Sequence, residues 1–215
     1  MQHVPFVIAA LDCRNLTSVE QVREAIDEAA DTHCDAVKLS SLPVPWCARV
    51  FEHAEQRAIP VISTVSDERT VEVLDWFGVP AFEIFFDWSD LDLVACAART
   101  GKPLLLSFAN ASDTELSEVV ALARGEGARG IALVQRVVDA GLGELAALRR
   151  HDTILGISER SSSPGLVQSA IDLGVRILER RLAPRRIKAE LAELVRECDR
   201  AWASLGKRAR RWTSN

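Results

Sequence analysis

The sequence predicts an α/β fold of the (β/α)8 barrel class in a single domain, and three observations carry that prediction. Short apolar or β-branched runs alternate with stretches whose apolar residues recur at helical spacing. Eight such pairs follow one another along the chain, and helix-capping and turn residues stand at their boundaries. Strand–helix pairs repeated in this way imply parallel strands joined by right-handed crossovers, and eight of them close a barrel. An open doubly wound sheet is the alternative. It is weakened because the first strand lacks GxGxxG and no GxxxxGK followed by Ser or Thr occurs.

The predicted strands are Phe6–Leu11, Ala36–Leu39, Val61–Thr64, Phe82–Phe86, Leu104–Phe108, Ile131–Gln135, Ile154–Ser158 and Val175–Leu178, with helices in the gaps and a last helix from Pro184 to Leu205. Ser18 precedes Gln21 by three residues and Ser112 precedes Glu115 by three, the spacing of capping boxes that satisfy free backbone N–H groups. Gly101, Gly127, Gly130 and Gly174 stand where helices should stop.

Composition bounds the function classes. With 215 residues, 48% hydrophobic and 27% charged, the chain is long enough for one sizeable core. Residues 1–206 read as the barrel and 207–215 as a basic tail containing Lys207, Arg208, Arg210 and Arg211. A net charge of -5 argues against general nucleic-acid binding, which needs a surplus of Lys and Arg. Five scattered cysteines without a CxxC pair fit a reducing cytosol. No leader pattern or apolar run long enough to span a bilayer occurs, so no membrane role is expected.

In a barrel of this kind the C-terminal strand ends and the loops after them build the site. Those ends read Asp12, Cys13 and Arg14; Lys38, Ser40 and Ser41; Ser63, Thr64 and Asp67; Glu83 and Asp87; Ser107 and Asn110; Gln135 and Arg136; Ser158, Glu159 and Arg160; Glu179, Arg180 and Arg181. A mouth carrying Lys38, Arg136, Arg160 and Arg181 favours a carboxylate or phosphate, since guanidinium groups offer paired donors to such anions. Solvated loops, or Arg–Glu pairing, are the alternative. Lys38 closes an otherwise apolar strand, which suits a ligand contact or a structural ion pair. Cys13 beside Arg14 is the one cysteine placed to react, or else a small packing residue. The histidines, His3, His33, His53 and His151, avoid the strand ends, so no His-bound metal and no cofactor are expected. Trp46, Trp76 and Trp88 are candidates for the pairing face of a homodimer, with core packing the alternative.

Ordered segments along nearly the whole chain resemble the sialic acid synthases, which condense phosphoenolpyruvate with an N-acetylated amino sugar on a metal-dependent barrel. Asp35-Ala36-Val37-Lys38 is similar to that family's second-strand motif, and Ile62-Ser63-Thr64-Val65-Ser66-Asp67-Glu68 to its "STPFDE" segment. Gly78-Val79-Pro80-Ala81-Phe82-Glu83-Ile84 is similar to "GVPAYKI", and Thr100-Gly101-Lys102-Pro103 with Leu105-Leu106-Ser107 to "TGKPVILS". Gly156-Ile157-Ser158-Glu159-Arg160 stands for "GYSDHT" and Ile177-Leu178-Glu179-Arg180-Arg181 for "IIEKHFT".

The departures fall on chemistry. By the resemblance, a first-strand glutamate becomes Ala10, two metal-binding histidines become Gln135 and Arg181, and a lysine that helps hold phosphoenolpyruvate becomes Glu83. The seventh-strand acid is represented by Glu159 and its neighbouring histidine by Arg160, while Lys38, Ser63, Thr64, Asp67 and Ser107 carry over. The family's antifreeze-like domain has no counterpart in these 215 residues.

Two functions follow as expectations. One is a divergent enzyme of carbohydrate biosynthesis that acts without metal on a small anionic sugar-acid or pyruvate-like ligand, by an aldol-type, lyase or isomerase step. In that reading Lys38 activates a carbonyl, Glu83 or Glu159 moves protons, and Ser63, Thr64, Asp67, Ser107, Gln135, Arg136, Ser158, Arg160 and Arg181 bind the ligand. The other is a non-catalytic barrel that binds such a ligand, or a partner enzyme, as regulator or scaffold.

Overall fold

The computed structural model of the chain describes residues 5–86, 90–137, 142, 145–160, 165–183 and 186–205. Eight strands run β1 Phe6–Asp12, β2 Ala36–Ser40, β3 Val61–Thr64, β4 Phe82–Phe85, β5 Leu104–Phe108, β6 Ile131–Arg136, β7 Ile154–Glu159 and β8 Ile177–Arg181. They pair in sequence order, all in parallel, and β8 closes on β1 to complete a barrel. The helices are α1 Val19–Ala30, α2 Cys47–Gln56, α3 Glu68–Trp76, α4 Leu91–Arg99, α5 Asp113–Gly125, α6 Leu166–Asp172 and α7 Ile187–Ser204. The predicted barrel therefore stands.

Alternation along each strand divides the core in two. Ile8, Ala36, Ile62, Ala81, Leu105, Ala132, Val134 and Ile177 fill the lower interior of the barrel. Their chain neighbours, among them Val7, Val37, Phe82, Leu104, Leu133 and Leu178, form the larger layer beneath the helices. Each fully buried aliphatic side chain contributes about 1.5–3 kcal/mol. The same period-2 rule places Ala10, Asp12, Lys38, Ser40, Thr64, Glu83, Phe85, Ser107, Arg136, Ser158, Glu179 and Arg181 on the inner face above that floor.

The capping residues act as their chemistry demands. The Ser112 hydroxyl accepts from Glu115 N while Glu115 accepts from Ser112 N, a complete capping box on α5. Ser18 caps α1 through Gln21 N, but the Gln21 side chain turns to Thr17.

Two elements depart from the sequence reading. The strand predicted at Val175–Leu178 runs instead over Ile177–Arg181. Gly174, at φ 89, ends α6, and Val175 N returns to Ala170 O, so Val175 belongs to the helix terminus. The polar residues extend β8 because Glu179 and Arg180 both meet charged partners. Between β6 and β7, where a helix is predicted, the described residues hold a short 3-10 helix, Ala147–His151.

Of the candidate pairing tryptophans, Trp76 is 81% exposed, Trp46 packs half-buried against the core, and Trp88 lies outside the described residues, as do Asp87, His3 and the 207–215 tail.

Candidate functional site

The inner strand ends surround a cavity of about 940 Å³ at the barrel mouth, lined among others by Ala10, Lys38, Thr64, Glu83, Phe85, Arg136, Arg160, Glu179 and Arg181. Its floor is one hydrogen-bonded ionic network. Lys38 Nζ donates to Glu83 Oε1 at 2.5 Å and lies 2.7 Å from Glu179 Oε2. Ser107 donates to Glu83 Oε1 at 2.6 Å, Thr64 donates to Glu83 Oε2 at 2.5 Å, and Ser158 donates to Glu179 Oε1 at 2.6 Å. Because Thr64 gives its single proton to the carboxylate, Ser40 must be the donor in its 2.9 Å contact with Thr64.

Lys38, Glu83 and Glu179 are each at most 5% exposed, and their charge states follow from one another. Burial alone pushes the Lys38 ammonium down, but Glu179 and then Glu83 outweigh it and hold it above its ordinary value. Burial also pushes Glu83 up, while Lys38 and then the Ser107 and Thr64 hydroxyls bring it below the usual carboxylate range. Lys38 is thus a protonated amine between two carboxylates. It is neither the neutral nucleophile a Schiff base requires nor a free cation for a ligand, and Glu83 is ionised and fully engaged.

Above the floor the balance reverses. Arg136, Arg160 and Arg181 line the cavity, and none has a carboxylate within salt-bridge distance among the described residues. Burial first, then Arg136 and Arg160, push the Arg181 guanidinium below its ordinary value, against the opposing pull of Glu179 and Glu159. Arg181 Nε is buried without a hydrogen-bond partner. Arg136 stacks on Phe85, its guanidinium carbon 4.7 Å from the ring centroid. At the rim, Asp12 pairs with Arg14 at 2.6 Å, and Glu190, entering from α7, lies 3.4 Å from Arg186.

Other predicted site residues lie elsewhere. Glu159 faces the helix layer, where it forms a buried ion pair with Arg180, its register partner on β8. Gln135 and Ser63 also have outward parity, and both are buried with a side-chain oxygen lacking a hydrogen-bond partner. Asp67 caps α3 by accepting from Thr70 N at 2.7 Å, and the Thr70 bonds hold its carboxyl below the usual range. Cys13 is 2% exposed and burial pushes its thiol up to about 12, so Arg14 does not activate it. Ser40 and Glu179 follow from reading two residues on from Lys38 and two back from Arg181. Phe85 and Glu190 carry no such signal.

The NeuB family profile matches residues 12–210. The chain belongs to the NeuB family. The resemblance to sialic acid synthases read from the sequence therefore holds. Among relatives, pseudaminic acid synthase of Helicobacter pylori is 36% identical over 86 residues, covering 40% of this chain and 25% of that protein. The spore coat polysaccharide biosynthesis protein SpsE of Bacillus subtilis is 22% identical over 218 residues, covering 81% of this chain and 58% of that one. The match thus spans between a quarter and three fifths of these relatives' own length. Two solved structures share the fold. SpsE of Bacillus subtilis superposes with TM-score 0.81 at 21% identity, over 100% of this chain and 73% of that one. An N-acetylneuraminic acid synthetase of Leptospira borgpetersenii, in complex with citrate, superposes with TM-score 0.81 at 20% identity, over 99% and 89%.

The divalent metal that the sialic acid synthase resemblance implies does not fit these residues. Of the two positions that stand for its histidines, Arg181 brings a guanidinium without a lone pair to the mouth and Gln135 faces out of the cavity, its inward neighbour being Arg136. Both inner-floor carboxylates are already engaged by Lys38 and hydroxyl donors. Among the described residues no group of three His, Cys, Asp or Glu is placed to hold a metal, and no helix is long and apolar enough to cross a membrane.

Proposed function

We propose that this NeuB-family barrel serves carbohydrate biosynthesis by binding a small anionic ligand, a sugar acid or a pyruvate-like acid, at its mouth, and that it does so as a binding protein without a His-bound metal. One observation carries the reading. The open cavity presents three guanidinium groups with no carboxylate in salt-bridge distance among the described residues, while each candidate for proton transfer or carbonyl attack, Lys38, Glu83 and Glu159, is held in a buried ion pair. Arginines bind carboxylates and phosphates through paired, charge-assisted donors and exchange no protons near neutral pH.

The relatives support the setting. Those with names of known meaning make pseudaminic acid, N-acetylneuraminic acid or a spore coat polysaccharide, and one structure of this fold holds citrate. The test is ligand-induced thermal stabilisation with phosphoenolpyruvate, pyruvate, N-acetylneuraminic acid, citrate and N-acetylmannosamine, each with and without manganese, beside a condensation assay. Selective binding of the native state raises the melting temperature by mass action. The expected result is a shift with acids, none with the neutral sugar, loss of the shift in Arg160→Gln, and no turnover. Manganese-dependent condensation, or indifference to every acid, overturns the reading.

A further inference from the structure

We propose that the aromatic face formed where α2 packs on the end of α3, away from the mouth, docks the basic segment 207–212 of a second copy of this chain. The proposal is independent of the anion-binding reading above.

Each helix returns from the C-terminal end of a strand, so α3 finishes at the end of the barrel opposite the mouth. Its last residue, Trp76, is 81% exposed. Trp76 meets Phe77 edge to face with centroids 4.8 Å apart, and Phe77 tilts against Phe51 of α2 at 5.3 Å. Three rings thus form a continuous apolar ridge across two helices, made of the residue types that anchor protein interfaces. Charge decides what covers it. Arg49 pairs with Glu20, Arg57 with Asp27 and Asp31, and Lys102 with Asp75. Glu52 and Glu55 on α2 and Glu72 on α3 are exposed and have no salt bridge among the described residues. Glu72 lies one turn before Trp76 and Glu55 one turn after Phe51, so carboxylates border the rings on both helices. Arg69, the one cation of α3, stands two turns from Trp76.

Two copies of this face would set like charges together, and an acidic rim repels nucleic acid and anionic lipid alike. A basic peptide with an aromatic residue fits it. Residues 206–215 supply one, since Lys207, Arg208, Arg210 and Arg211 are followed by Trp212. A guanidinium stacks on an indole face and pairs with a neighbouring carboxylate through its edge. The segment comes from a second copy for a reason of reach. The described chain ends at Leu205, just past α7, and α1 and α2 stand between α7 and α3 around the barrel. Three helix spacings of about 8–10 Å each separate α7 from α3, whereas residues 206–212 span about 25 Å only when drawn straight.

Analytical ultracentrifugation of the whole chain over a range of concentrations, in dilute and in molar salt, tests this. The native chain should form a dimer in dilute salt that dissociates in molar salt, where exposed charges are screened. Trp76→Ala, the pair Glu55→Lys and Glu72→Lys, and the joint exchange Lys207→Gln, Arg208→Gln, Arg210→Gln and Arg211→Gln should each weaken the dimer about tenfold or more. Trp76, Glu55 and Glu72 are exposed, so the circular dichroism of those variants should match that of the native chain. An equimolar mixture of Trp76→Ala with the Gln variant keeps one intact face and one intact segment, and should dimerise where neither does alone. That mixture also keeps the test decisive if one variant is less stable. A native chain that stays monomeric at every concentration overturns the proposal. So does a dimer that the Gln variant leaves unchanged: its loss in Trp76→Ala would mean that the aromatic faces pair with each other, and its survival there that another surface is used.

Discussion

Ser158 and Glu159, adjacent on β7, face opposite sides of the barrel wall: Ser158 donates to Glu179 inside, while Glu159 pairs with Arg180 under the helices. Breaking a buried pair by removing one partner leaves an uncompensated charge and costs about 3–5 kcal/mol. Glu159→Gln should therefore lower stability by that order in urea titrations. The variant that remains folded should bind anions as the native chain does. A lost ligand-induced thermal shift at unchanged stability would place Glu159 in the site after all.

Lys38→Met removes the cation that two buried carboxylates share. Glu83 and Glu179 then confront each other, and the expected loss is again about 3–5 kcal/mol near neutral pH. Protonating one carboxylate relieves the repulsion, so the variant should regain stability as the pH falls, unlike the native chain. Denaturation midpoints measured from neutral to acid pH distinguish the two.

In the native chain the sign runs the other way. Glu83 titrates below its ordinary 4.5 when folded, so its contribution is present above 4.5 and is lost as the pH falls through the folded value. Lys38 titrates above its ordinary 10.5, so its contribution is present below 10.5 and is lost as the pH rises through the folded value. Stability from the network should be flat between these limits. A protonated Lys38 also predicts no covalent adduct after incubation with pyruvate and borohydride, read by intact mass; an adduct at Lys38 would show that the amine becomes free.

Gly156 carries the wall where β6, β7 and β8 meet. A Cβ there would come within 3.0 Å of Val134 Cγ2 and 3.1 Å of Ile177 Cβ. Neither neighbour has a flexible end to move away. Gly156→Ala should cost about 1–3 kcal/mol by overpacking, seen as a lower melting temperature. An unchanged melting temperature would mean that the barrel interior yields more readily than its packing implies.

Much of this was legible from local patterns. Strand and helix periods, caps such as Ser112, and ordered motifs from Val37-Lys38 to Glu179-Arg180-Arg181 predict the barrel, its closed order and its family. The mouth follows as well, because strand ends are read directly along the chain. What failed was parity. Reading Gln135 and Glu159 as site residues takes a strand's last polar residues as a set, but successive side chains face opposite ways, and a shift of one residue exchanges cavity for helix layer. Asp67 likewise looked available for a ligand, although a carboxylate just before a helix satisfies that helix's own N–H groups first.

The sequence by itself determined the architecture, since hydrophobic period and turn chemistry are short-range properties that each segment carries in full. Only the tertiary structure decided the chemistry of the mouth. Lys38, Glu83 and Glu179 are separated by 45 and more residues, and whether a lysine is a free ligand contact or a locked ammonium depends on which charges the closed barrel sets beside it. The same closure brings Arg136, Arg160 and Arg181 together at the mouth, with no carboxylate in salt-bridge distance among the described residues, and sets Arg180, one residue from Arg181, against Glu159 on the other side of the wall.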